Sequence, residues 1–90
     1  MPVTHPSLVI EEAVREVLAY AGKLAADPMT IDESANLYDA GLTSHSSVRV
    51  MVALEDTLDI EFPEHLLRKS TFSSIEAIKN ALAQVDGQTR

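Results

Sequence analysis

Residues 39–58 read Asp39-Ala40-Gly41-Leu42-Thr43-Ser44-His45-Ser46-Ser47-Val48-Arg49-Val50-Met51-Val52-Ala53-Leu54-Glu55-Asp56-Thr57-Leu58. A glycine-containing turn gives way here to a run in which Val50, Met51, Leu54 and Leu58 recur at helical spacing. A helix is therefore expected from about Ser44 to Leu58, with those four side chains facing a core. Gly41 permits backbone conformations that other residues avoid, so the chain can turn sharply into the helix. Thr43, Ser44, Ser46 and Ser47 crowd the helix start, where hydroxyls satisfy free backbone N–H groups. One cap suffices, which leaves some of these hydroxyls without that task.

Toward the amino terminus, Ile10, Val14, Val17, Leu18, Ala21 and Leu24 step by threes and fours and predict an amphipathic helix over Ser7–Ala25, stopped by Asp27-Pro28. Between Pro28 and Thr43 the periodicity fails. A loop of that length in a small domain tends to be functional, and Leu37, Tyr38 and Leu42 are its expected anchors to the core. Toward the carboxyl terminus, Ile60-Glu61-Phe62-Pro63 reads as a short extended linker, because the residue before a proline is pushed out of helical geometry. Pro63 can open a short third helix over Glu64–Arg68. Ser70, Thr71 and Ser73 offer caps for a last helix over Ser74–Gln84, with Ile75, Ile78, Leu82 and Val85 on its apolar face and Gly87 as its stop. The expected fold is all-α: a small four-helix bundle of three longer helices and a short third one. Residues 1–90 are expected to form a single domain, with its core over about 7–85 and flexible ends.

With 46% hydrophobic and 4% aromatic residues, the core must be aliphatic. Cysteine is absent, which excludes disulfides and thiolate metal sites. Fourteen acids against seven bases give a formal charge of −7, a field that repels phosphate backbones and acidic lipid surfaces. Neither nucleic acid nor membrane is an expected partner. The amino terminus lacks the pattern of a secretory signal, and no stretch approaches the roughly 18 apolar residues of a membrane span. Cytoplasm and a monomeric state are the expectations.

The second helix carries more apolar surface than one core-facing side needs. Val48 and Val52, four apart, lie on a stripe rotated away from Leu54, with His45 at its start. Such a stripe is either a partner surface or a scatter of ordinary exposed valines, and the residues alone leave both open. The helix start also suits a phosphate, since its free N–H groups and its dipole both favour negative charge.

Asp39-Ala40-Gly41-Leu42-Thr43-Ser44, the run Val48 to Glu55, and Ile60-Glu61-Phe62-Pro63-Glu64 together resemble the acyl carrier protein family. That family carries a D-x-G-x-D-S-L signature, a V-x-L-V-x-x-L-E helix and an I-x-I-P-[DE] segment, and the likeness extends from about Ile10 to Leu82. The resemblance implies a 4'-phosphopantetheine arm on Ser44, installed by a phosphopantetheinyl transferase, whose thiol carries an acyl or aminoacyl group as a thioester. It also implies an acyl- or aminoacyl-loading ligase and a downstream transferase or synthase as partners. The partner surface is expected at Leu42, His45, Val48, Arg49, Val52, Glu55 and Asp56. Some positions depart from the family pattern. Thr43 stands where an acid is usual, His45 where leucine is usual, and Arg49 and Ser46 replace acids. The less acidic second helix points to a specialised carrier with a dedicated ligase rather than the housekeeping fatty acid carrier, with Arg49 helping to choose the partner.

No catalytic activity and no metal site are expected. Adjacent Ser44 and His45 on a helix point about 100° apart, which is no triad geometry. His5, His45 and His65 are too scattered to hold a metal. The run Glu55, Asp56, Asp59, Glu61, Glu64 lacks the pattern of a calcium loop. The other reading is a small helical adaptor that binds a partner through the second helix without a prosthetic group.

Overall fold

In the computed structural model, which describes residues 6–86, the regular elements are all helical. Helix α1 spans Pro6–Val17 and runs on into a π-helical turn, Leu18–Gly22. Helix α2 is Ser44–Leu58, two 3-10 turns follow at Glu64–Leu66 and Lys69–Phe72, and α3 is Ile75–Asp86. The expectations of flexible ends and of Gly87 as a stop concern positions outside the described residues, as does His5.

The sequence predicts one regular helix as far as Ala25. The structure instead widens the helix at Leu18 and ends it at Lys23, whose φ of 54° is left-handed. The wider turn keeps Val17, Leu18, Ala21 and Gly22 buried against α2 while Tyr20 is turned outward, 64% exposed. Helix α2 has the expected bounds. Val50 and Leu54 are fully buried, and Met51 and Leu58 pack at the core edge.

After α2 the chain is extended, and the Phe62 N–H donates to the Glu55 carboxylate at 2.9 Å. Pro63 opens a 3-10 turn that ends at Leu66, not a helix reaching Arg68. The backbone stretches out again at Arg68 (φ −144°, ψ 163°) before the second 3-10 turn. This kinked path lets both Leu66 and Phe72 enter the core, where Phe72 meets Phe62 edge-on at 5.7 Å. Thr71, expected as a cap, is buried in the second turn, and the cap of α3 is Ser74, whose hydroxyl accepts the Ala77 N–H at 3.0 Å. Ile75, Ile78, Leu82 and Val85 are buried as their spacing predicts.

The long loop is tied down by polar contacts rather than by its own apolar residues alone. Arg15 donates to the carbonyls of Pro28 (3.1 Å) and Ile31 (2.7 Å) and pairs with Glu11. Lys79 on α3 bridges Glu11 and Glu33 at 3.0 and 2.9 Å. The Glu76 and Leu37 N–H groups close the loop onto α3 and the second 3-10 turn by donating to Glu33 and Ser73 carbonyls. Leu37 and Leu42 are buried, and Tyr38 packs at the core edge.

Candidate functional site

Gly41 sets the approach to α2. Its φ is +118°, and a Cβ there would lie 3.0 Å from the Ala25 backbone nitrogen, so a side chain would be strained in its backbone and crowded against that segment. The close approach is used: the Ala25 N–H donates to the Ala40 carbonyl at 2.8 Å.

Thr43 is the N-cap. Its hydroxyl accepts the Ser46 N–H at 3.0 Å, and the Ser46 hydroxyl accepts the Thr43 N–H at 2.8 Å, a reciprocal capping box. The Ser47 hydroxyl donates to the Ser44 carbonyl at 2.8 Å. Ser46 and Ser47 are buried by these contacts. Ser44 differs from all three. It is exposed, as Thr43 also is, but its hydroxyl alone enters no hydrogen bond among the described residues. The backbone N–H groups of Ser44 and His45 also lack a protein partner there. A free hydroxyl and two free donors thus share one helix start.

Ser44 stands on the rim of a groove of about 250 Å³ between α2 and the second 3-10 turn, with Val48, Met51, Leu67 and Phe72 among its walls. On the other side of α2, Tyr20, Val48, Arg49, Val52 and Asp56 line a shallow depression. Val48 and Val52 are 54% and 47% exposed, so the second stripe faces away from the core. Arg49 has no ion pair among the described residues. Tyr20 was not among the expected surface residues. It lies off the apolar stripe of α1, and a large aromatic in that place is the one signal that could have pointed to it.

Two expected surface residues have other tasks. Leu42 is 3% exposed and packs in the core, so it cannot belong to a partner face; the turn at Gly41 directs it inward. Glu55 is half-buried, and its carboxylate holds the Phe62 N–H, so its first role is to fix the segment after α2. His45 and Asp56 are exposed as expected.

The phosphopantetheine attachment site family (PP-binding) matches residues 9–83. The chain belongs to this family. An aminoacyl carrier protein of Agrobacterium fabrum is 43% identical over 76 residues, covering 83% of this chain and 92% of that protein. The fold is similar to the carrier chain in the crystal structure of an engineered Bradyrhizobium japonicum glycine:[carrier protein] ligase complexed with a carrier protein from Agrobacterium tumefaciens and AMP (TM-score 0.78, 42% identity, 81% of this chain and 97% of that one). It also resembles the carrier in the Bradyrhizobium japonicum ligase complexed with glycylated carrier protein (TM-score 0.61, 27% identity, 83% and 95% covered).

Phosphopantetheine is the cofactor of this carrier family. The residues around Ser44 fit such a group: an exposed, uncommitted hydroxyl to bear a phosphodiester, and unpaired N–H groups at a helix start to face its charge. When bound, the group supplies a terminal thiol able to hold a cargo as a thioester. Thr43, in the position of the usual acid, keeps the cap that an aspartate would make.

Proposed function

We propose that this chain is an aminoacyl carrier, with a phosphopantetheine arm on Ser44 and a dedicated ligase that loads it. The observation that carries this reading is the contrast among the four hydroxyls at the start of α2. Thr43, Ser46 and Ser47 are engaged in the fold, and Ser44 is exposed and free. The aminoacyl cargo and the ligase are supported by the aminoacyl carrier protein of Agrobacterium fabrum and by the carriers seen with a glycine:[carrier protein] ligase.

The chain's own residues supply position, not catalysis. Helix α2 presents His45, Val48, Arg49, Val52 and Asp56 to partners, with Tyr20 extending that face from the π turn. A phosphopantetheinyl transferase, the ligase and a downstream transferase or synthase take turns on it, and Arg49 disfavours enzymes that expect an acidic helix. Residues 1–90 act as one monomeric carrier domain in the cytoplasm; no helix among the described residues is long and apolar enough to cross a membrane.

The test is intact mass after incubation with coenzyme A and a broad-specificity transferase, then with ATP, an amino acid and a glycine:[carrier protein] ligase. The wild-type chain gains one phosphopantetheine and then one aminoacyl group. Ser44→Ala gains neither and keeps its fold at a cost under about 0.5 kcal/mol, since Ser44 is not the cap. An arm on Ser46 or Ser47 in that variant would show the wrong serine has been chosen. A wild-type chain that several transferases leave unmodified is the adaptor instead.

A further inference from the structure

Acids outnumber bases fourteen to seven in this chain, yet four described cations, Lys23, Arg49, Arg68 and Lys69, make no ion pair among the described residues. Arg15 and Lys79 are taken up by Glu11 and Glu33. Arg68 and Lys69 make no ion pair among the described residues, and they stand side by side in the wall of the groove that has Ser44 on its rim.

Both are held in place. The Lys69 ammonium lies 4.9 Å from the centre of the Tyr38 ring, and the Tyr38 hydroxyl donates to the Lys69 carbonyl at 3.1 Å. The Arg68 Nε–H donates to the His65 carbonyl at 3.1 Å, which leaves the outer N–H groups of the guanidinium free. The two cations and the Ser44 end of the helix, with its unpaired N–H, therefore border the same groove, whose other lining side chains are mostly apolar.

We infer that Arg68 and Lys69 are positioning residues for the phosphodiester that joins the arm to Ser44. A phosphodiester carries one full negative charge at neutral pH, and it is attached at the rim of this groove. Attraction to the pair draws the first part of the arm over Met51 and Leu67. On the side of Tyr20 and Val52 a single cation, Arg49, lines the depression together with the Asp56 carboxylate, so the charge there attracts a phosphodiester less than the pair does. Val48 forms the ridge between the two, since it lines both the groove and the depression. The resting arm and the α2 partner face are thereby kept on opposite flanks, and a partner can settle on the depression before the arm is moved. The inference rests on Ser44 as the attachment point.

The experiment compares apo and holo protein by 1H–15N correlation spectra at low salt, with intact mass confirming that the arm is present. In the wild-type chain, addition of the arm shifts backbone signals across Leu67–Phe72 as well as beside Ser44. Those distant shifts fall by at least half when salt is raised to about 1 M, where the screening length is about 3 Å. In the double variant Arg68→Gln, Lys69→Gln they are lost although the mass shows the arm attached, and Arg68→Lys, Lys69→Arg restores them. Wild-type shifts confined to the neighbours of Ser44 would overturn the inference without any variant. Distant shifts that survive at full size in the double variant would overturn it too. A chain that gains no arm by mass fails the reading of Ser44 itself, a separate outcome in the same spectrum of measurements.

Discussion

A hydroxyl can serve as an attachment point only if the fold does not consume it, and at the start of α2 that freedom depends on Thr43. The N-cap and Ser46 satisfy each other's N–H groups, so Ser44 sits one position inside the cap with nothing to hold. Thr43→Ala should cost about 1 kcal/mol of stability, the usual loss for an N-cap. Thr43→Asp should be close to neutral, because a carboxylate accepts the same N–H and interacts well with the helix dipole. Urea denaturation of the two variants separates a capping role from any other; equal losses in both would mean that the threonine methyl, not its oxygen, matters. The same residue explains a departure from the family signature. What the position requires is an oxygen in reach of the Ser46 N–H, and threonine meets that requirement without a charge.

Helix α2 has two apolar sides with different tasks, which single substitutions can tell apart. Leu54 is fully buried, and Leu54→Ala should destabilise by about 2–5 kcal/mol. Val52 is 47% exposed, and Val52→Asp should change stability by no more than about 0.5 kcal/mol while slowing loading by the ligase. Thermal melts and a loading time course check both, and similar melting losses would remove the distinction between the faces. This division was legible in the sequence, because Val50 and Leu54 fall on one helical stripe and Val48 and Val52 on another. Its bounds, Ser44 and Leu58, were legible for the same reason, with hydroxyls at one end and loss of periodicity at the other. The end of the first helix was not, since periodicity assumes a constant turn and a π turn at Leu18–Gly22 breaks it, which hid Tyr20. The segment after Pro63 was read only in part. Two short turns with an extended residue between them leave no repeating pattern, and Phe72 entered no stripe. Leu42 was expected both as an anchor of the loop and on the partner face, and its burial matches the first of these.

At the scale of the whole molecule, one ionic cluster fastens the functional loop to the bundle. Glu11 on α1 and Glu33 in the loop are joined through Lys79 on α3, and Arg15 adds Glu11 and two loop carbonyls. The loop that ends in Gly41 and Thr43 is thus held from both terminal helices. Hydrogen bonds from Lys79 and then Arg15 hold the Glu11 carboxyl below its ordinary range, and hydrogen bonds to Glu33 and Glu11 raise the Lys79 ammonium above its own. The signs follow by linkage. A depressed carboxyl contributes stability that is present above its unfolded pKa and is lost as pH falls through the lower folded value. A raised ammonium contributes stability that is present below its unfolded pKa and is lost as pH rises through the higher folded value. The cluster therefore acts in full across neutral pH and fails at both extremes. Lys79→Met should cost about 1 kcal/mol at pH 7, near the upper end for partly exposed ion pairs, because it strands two carboxylates at once. The difference between wild type and variant should shrink as pH falls below the ordinary glutamate value of 4.5, and again as it rises past the ordinary lysine value of 10.5. Urea titrations of both chains at a series of pH values measure it. A difference that stays constant from neutral to acid pH would show that the charges of the cluster contribute nothing, and that the loop is held without it.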